Sequence, residues 1–136
     1  MMTPRLGRIV TAVAASFLAL AALLILAPAR GAAFFGQTMH DPAGLLYVRA
    51  VGLRDLALAF YLAGLVRLGN RRALAIVLLA TLAIPAGDIL LLLSSATATP
   101  IHYLLHAASL LLFLLLGLWA LRSPDRARSR PDDVRD

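Results

Sequence analysis

Four long apolar runs decide what this chain can become. They extend from Ile9 to Ala27, Gly44 to Val66, Ala73 to Leu93 and Ile101 to Leu121, and each is close to the roughly 20 apolar residues a helix needs to cross a bilayer core. Backbone N–H and C=O groups in lipid must be satisfied within their own segment, so runs of this kind fold as helices. Alternating stretches suited to membrane strands are missing, and no internal repeat argues for an inverted-repeat transporter. The sequence therefore predicts an all-α, four-helix transmembrane bundle over residues 1–122, with helices at about 9–27, 44–66, 73–93 and 101–121. Composition agrees: 61% of residues are hydrophobic, 15% are charged and the mean hydropathy is +0.86. A soluble chain of this length could not hide so much apolar surface.

The connections refine this picture. Leu68-Gly69-Asn70 is a tight turn that predicts antiparallel neighbours on either side. Ser94 to Pro100 is a turn-forming stretch, and residues 123–136 are rich in Arg, Asp and Pro, which predicts a disordered tail. Arg5, Arg8, Arg67, Arg71, Arg72, Arg122, Arg126, Arg128 and Arg130 fall on one side of the predicted bundle, against Arg30 on the other. The positive-inside rule then puts both ends in the cytoplasm of a multi-pass inner (plasma) membrane protein. Tyr47, Tyr103 and Trp119 near the helix ends fit aromatic belts. Ala27-Pro28-Ala29 reads as a signal-peptide cleavage pattern, but the apolar run before it exceeds a usual h-region, which favours an uncleaved helix.

All thirteen basic residues are arginine and all seven acidic ones aspartate, a bias that with the abundant Ala and Leu reads as the trace of a GC-rich bacterial genome. The net charge of +6 would suggest nucleic-acid binding in a soluble chain. Here the arginines flank apolar runs, so their partner is the lipid headgroup layer and not nucleic acid. The chain has no cysteine, which removes disulfides, thiolate metal sites and thiol nucleophiles.

Function rests on ionisable residues inside the apolar runs. An ion at mid-bilayer costs at least about 2.5 kcal/mol, so each one calls for a partner or a water-filled cavity. Adjacent Arg54 and Asp55 project about 100° apart around their helix. Asp55 shares a stripe with Gly52, Ala59 and Ala63, small residues that let another helix approach, so this face packs inward. Arg54 is left to reach a neighbour or to snorkel. Pro85 cannot donate to the carbonyl of Thr81 and should kink its helix one turn before Asp88. His102, His106, Ser109 and Phe113 recur on one helical face. The candidate ligand-binding set is thus Arg49, Arg54, Asp55, Asp88, His102 and His106, biased to the outer half of the bundle, and each charge can be neutralised internally, Arg by Asp or Asp by His.

Three readings of that set stay open. It is a packing device in which Arg49 or Arg54 pairs with Asp55 or Asp88, since buried ion pairs fix helix register; or it lines an outward-facing, water-accessible pocket for a lipophilic small molecule; or it meets a membrane-protein partner or a second copy. A catalytic version of the second reading uses Asp55, Asp88 and His106 for proton transfer on a lipid-soluble substrate, as in an isomerase or cyclase, because an apolar pocket favours a protonated carboxyl. For a metal, His102 and His106 have chelating spacing, with Asp88 or the His40-Asp41 pair as oxygen donors, but three histidines are too few and neither metal nor cofactor is expected. No phosphate loop, nucleophile elbow or zincin motif is present.

Gly52-Leu53-Arg54-Asp55, Arg71-Arg72-Ala73-Leu74, Asp88 and His106 together resemble a family of small four-helix membrane proteins known only as a domain of unknown function, and more loosely the DoxX-like membrane proteins. The resemblance spans the second to fourth apolar runs. It implies a four-helix membrane fold, singles out Arg54, Asp55, Asp88 and His106, and implies no activity.

Overall fold

Proline and short polar side chains set where the helices begin. The computed structural model of the protein describes residues 2–95 and 98–122. Helix α1, Pro4–Leu26, starts with proline in its first turn behind Thr3, whose side chain accepts the Leu6 N–H. Helix α3, Pro42–Leu68, repeats the device: Asp41 accepts the Gly44 N–H at 2.7 Å and Pro42 follows. Both prolines sit where the missing N–H costs no helical bond. Gly69, at φ 63°, closes α3 in the left-handed conformation that glycine adopts without a Cβ clash, and Asn70 then caps α4 by accepting the Ala73 N–H. These caps lie outside the apolar runs, and so α1 and α3 extend beyond the predicted 9–27 and 44–66.

Helix α4, Arg71–Thr81, continues into α5, Ala83–Leu92, and α6 spans Pro100–Arg122. Leu82, between α4 and α5, keeps helical angles. The joint is therefore a bend, and its cause is the Pro85 ring that the sequence pointed to. Thr81 turns its hydroxyl back onto the Val77 carbonyl at 2.7 Å at the same place. Among the described residues there is no strand. Three helical stretches are long and apolar enough to cross a membrane: Pro4–Leu26, Arg71–Leu92 and Pro100–Arg122. Helix α3 is longer, at 27 residues, but Arg49, Arg54, Asp55 and Arg67 are spread along it and lower its apolarity.

One helix was not foreseen. The backbone breaks at Ala27 (φ −134°, ψ 62°) and resumes as the short α2, Pro28–Phe34. Ala27-Pro28-Ala29, a cleavage pattern in sequence, is here a bend between two helices. Gly31 lets α2 fold back on α1, since a Cβ there would stand 2.7 Å from Leu24 Cδ2.

The helices pack in two pairs. Helix α3 lies along α1, while α4 and α5 lie along α6. The tight turn at Gly69 does make α3 and α4 neighbours, but each has its larger interface elsewhere. Close approach needs glycine at both main interfaces: a Cβ on Gly52 would meet Leu24 and Ile25 of α1 at 2.9 Å, and one on Gly117 would meet Leu79 of α4 at 2.7 Å. Of the predicted inward stripe, Gly52, Asp55 and Ala59 are buried and Ala63 is half-buried against the core.

A shared core joins the pairs toward one end. Leu6 and Val10 of α1, Leu62 of α3, Leu74 and Leu78 of α4 and Leu116 of α6 belong to it. Gly7 lies beside Val66, and Arg5 and Arg8 share a groove with Trp119, so the N-terminus of α1 and the C-termini of α3 and α6 meet at this end. The opposite end holds a smaller cluster of Leu24, Ala32 and Val48 with Phe35 and Met39 against it. Residues 123–136, expected to be a disordered tail, lie outside the described residues.

Candidate functional site

Midway along α3, Arg54 and Asp55 point from neighbouring backbone positions yet meet. Nε and one terminal nitrogen of Arg54 each donate to Asp55 Oδ1 at 3.2 Å. Their Cβ vectors diverge by about 100°, but an arginine stem is long enough to curl around the helix, and Arg54 with Asp55 is one of the pairings that the packing reading left open. The pair is lopsided in exposure: the Arg54 side chain is 46% exposed and that of Asp55 5%. A buried carboxylate is thereby balanced by a cation at the surface, which relieves the cost that either ion would bear alone.

The second pair lies on the other two helices. His106 Nδ1 stands 3.3 Å from Asp88 Oδ2, with the imidazole buried and the Asp88 side chain 34% exposed. The bend at Leu82 and the antiparallel run of α5 and α6 set the two at one depth, as the sequence suggested. Arg54 with Asp55 and Asp88 with His106 are the polar belt of an otherwise apolar bundle.

The remaining members of the predicted set serve helix ends. Arg49 Nε donates to the Ile25 carbonyl at 3.3 Å, meeting the exposed acceptors at the negative end of α1. His102 Nδ1 accepts the Thr99 N–H at 3.0 Å while the His102 N–H bonds the Thr99 carbonyl, a reciprocal start for α6. Asp41 is engaged in capping α3. His102 and His106 thus direct their Nδ1 atoms to different partners, and among the described residues no three His, Asp or Glu side chains gather as a metal shell. Ser109 bonds its own helix at the Leu105 carbonyl.

What the sequence missed is the cover over this belt. Phe35, just after α2, stacks on His106 with ring centroids 5.5 Å apart, and Phe34 meets Phe35 edge to face. Gly36, at φ 78°, lies so near His102 that a Cβ would come within 2.7 Å of its Nδ1. Ser95 donates to the Gly36 carbonyl, which ties this segment to the end of α5. The signal was present in the Phe34-Phe35-Gly36 triplet, two aromatics followed by a residue suited to a tight turn, but nothing local tells which helix such a triplet covers.

A groove of about 450 Å³ opens between α3 and the bent α4–α5 helix. Ala57, Leu58, Tyr61, Val77, Ala80 and Ile84 give it apolar walls, and Arg54 and Thr81 are its polar members. Of the six predicted binding residues Arg54 alone lines it.

A family model described as a domain of unknown function, DUF4267, matches residues 14–120. The chain belongs to the DUF4267 family. The match runs from the middle of α1 to the last turn of α6 and takes in α2, both ion pairs and the groove, so the family domain includes the whole belt. It bears on the unknown-function family and adds nothing to the looser DoxX-like resemblance. No curated protein and no solved structure matches the chain.

Proposed function

We propose that this DUF4267 protein spans a bacterial inner membrane as a four-helix bundle, N-in and C-in, and holds a lipophilic ligand in the groove between α3 and α4. The arginines gathered at one end support the orientation by the positive-inside rule. α3 joins the three apolar helices as a spanning element because Arg54 and Asp55 neutralise each other midway along it. α1 stays attached, since Leu6 and Val10 are fully buried in the shared core.

One observation carries the binding reading: a half-exposed guanidinium stands in a groove with apolar walls, where the other polar member, Thr81, has its hydroxyl turned back onto the Val77 carbonyl. Arg54 has five N–H donors and gives two to Asp55. Its charge is already balanced, so the fitting ligand is a lipid-soluble molecule with a carbonyl or similar acceptor. Such a molecule would enter sideways from the bilayer. This reading replaces the outward-facing pocket, because Phe35 and Gly36 lie over His106 and His102 on that side. It is also preferred to an isomerase or cyclase acting through Asp88 and His106, which do not line the groove.

The test is a thermal-shift screen of the detergent-solubilised protein with lipophilic ketones, esters and quinones against hydrocarbons of matched length. A carbonyl compound should raise the melting temperature where its hydrocarbon does not; saturation at a hundredfold over Kd adds about 2.7 kcal/mol. Ala80→Phe, which fills the groove from an exposed wall position, should abolish the shift without disturbing either ion pair. Shifts that survive Ala80→Phe, or that hydrocarbons produce equally, would dismiss the groove as the site.

A further inference from the structure

A second groove lies at the arginine-rich end, between the first turns of α1 and the last turns of α6. It encloses about 380 Å³ and is lined by Arg5, Arg8, Ile9, Ala12 and Trp119. Arg5 and Arg8 are three residues apart and Ala12 a further four, so all three share one face of α1. The opposite face, with Leu6 and Val10, is fully buried in the core. The packing of their own helix therefore turns Arg5 and Arg8 to the groove side of α1. The rest of its lining, Ile9, Ala12 and Trp119, is largely apolar.

Among the described residues no acidic side chain lines this groove. Among the described residues the three aspartates lie elsewhere: Asp41 begins α3, Asp55 is at its middle and Asp88 is in α5. Two cations and a largely apolar remainder of the lining match one kind of molecule in both halves. We infer that this groove binds a single anionic phospholipid of the bilayer, its phosphate between Arg5 and Arg8 and an acyl chain along Ile9, Ala12 and Trp119. A basic pocket between helix ends differs from diffuse headgroup attraction in holding its lipid at one position.

Trp119 is the chain's single tryptophan, so its fluorescence reports on this groove alone. The full chain is reconstituted in phosphatidylcholine vesicles that carry a minor fraction of either phosphatidylglycerol or phosphatidylcholine brominated on the acyl chain. The brominated anionic lipid should quench Trp119 roughly fivefold more effectively than its zwitterionic counterpart at equal fraction. Arg5→Gln with Arg8→Gln should make the two lipids equal, and each single change should reduce the preference. Arg67→Gln removes a charge from the same end but not from the groove, and should keep it. Equal quenching in the wild type overturns the proposal and leaves the groove to bulk lipid or to the chain's own tail. A loss in Arg67→Gln as large as in Arg8→Gln overturns it too, in favour of diffuse attraction.

Discussion

The two ends of the molecule are stabilised by different physics. At the arginine-rich end, side chains from α1, α3, α4 and α6 close into one apolar core in which Leu6, Val10, Leu62, Leu74 and Leu78 have no exposed surface. At the other end the apolar cluster is small, and what joins the helices is polar: Asp88 with His106, Arg49 on the end of α1, Ser95 on Gly36 and Tyr103 on the Leu92 carbonyl. A close-packed core has one arrangement and resists change. A polar belt under a short helical cover can exchange partners. Of the two grooves, the one that meets the belt, through Arg54, lies beside the bend of α4 and α5, where the common core gives way to polar contacts.

The largest effect should come from the core. Leu78→Ala removes a fully buried side chain at the α4–α6 contact and should lower unfolding stability by about 3 kcal/mol, as buried leucine truncations do. Leu24→Ala, nearly as buried but in the small cluster, should cost about half as much because α2 can settle into the space. Denaturant titration of both variants in one detergent checks this. Equal losses would break the division between the ends.

A smaller effect belongs to the belt. Asp55→Leu leaves the Arg54 guanidinium without its counter-charge and should cost about 2 kcal/mol, less than the 3–5 kcal/mol for a fully buried pair because Arg54 is half exposed. Arg54→Leu together with Asp55→Leu should recover most of that loss, since two apolar groups in lipid need no partner. If the double variant is as unstable as the sum of the two single ones, the pair is no unit and Asp55 answers to another group.

The unequal legibility of the two ends has the same physical origin. Apolar periodicity and the bend before Asp88 are local, so the helices and the inward face of Gly52, Asp55 and Ala59 could be read from the residues, whereas the caps at Thr3 and Asp41 lie outside the apolar runs and α1 and α3 start earlier than those runs indicate. The Asp88–His106 pair was one of several neutralising partnerships the residues allowed, and a short loop with matching depths on α5 and α6 selects it. Three features could not be read from the residues. The reach of Arg54 around its own helix depends on side-chain torsions and not on the Cβ direction. The tie between Arg49 and the Ile25 carbonyl depends on which helices pair, and α1 with α3 was not a pairing the short turns indicated. The cover by Phe35 depends on a reversal at Ala27 that the same Ala-Pro-Ala letters could equally have supplied as a protease site.

That cover supplies the smallest and most specific prediction. Phe35 is only half-buried and belongs to the small cluster, so Phe35→Ala should change stability by no more than about 1 kcal/mol. Its consequence should instead be access. The native chain has no cysteine, so single cysteines can be labelled without background. With Phe35 in place, a membrane-impermeant thiol reagent added from outside should modify Asp88→Cys, whose site is partly exposed, but leave His106→Cys as inert as the lipid-facing control Leu112→Cys. Phe35→Ala should make His106→Cys reactive and leave Leu112→Cys unchanged. Asp55→Cys should stay slow in both backgrounds, since its side chain is buried within the bundle. Reactivity of His106→Cys with Phe35 present would mean that the cover stands open in the membrane. The outward-facing pocket over Asp88 and His106 would then be the better account of the site than the lateral groove. Inertness of all four positions from outside, with Asp88→Cys reactive only in inverted vesicles, would reverse the orientation drawn from the arginines.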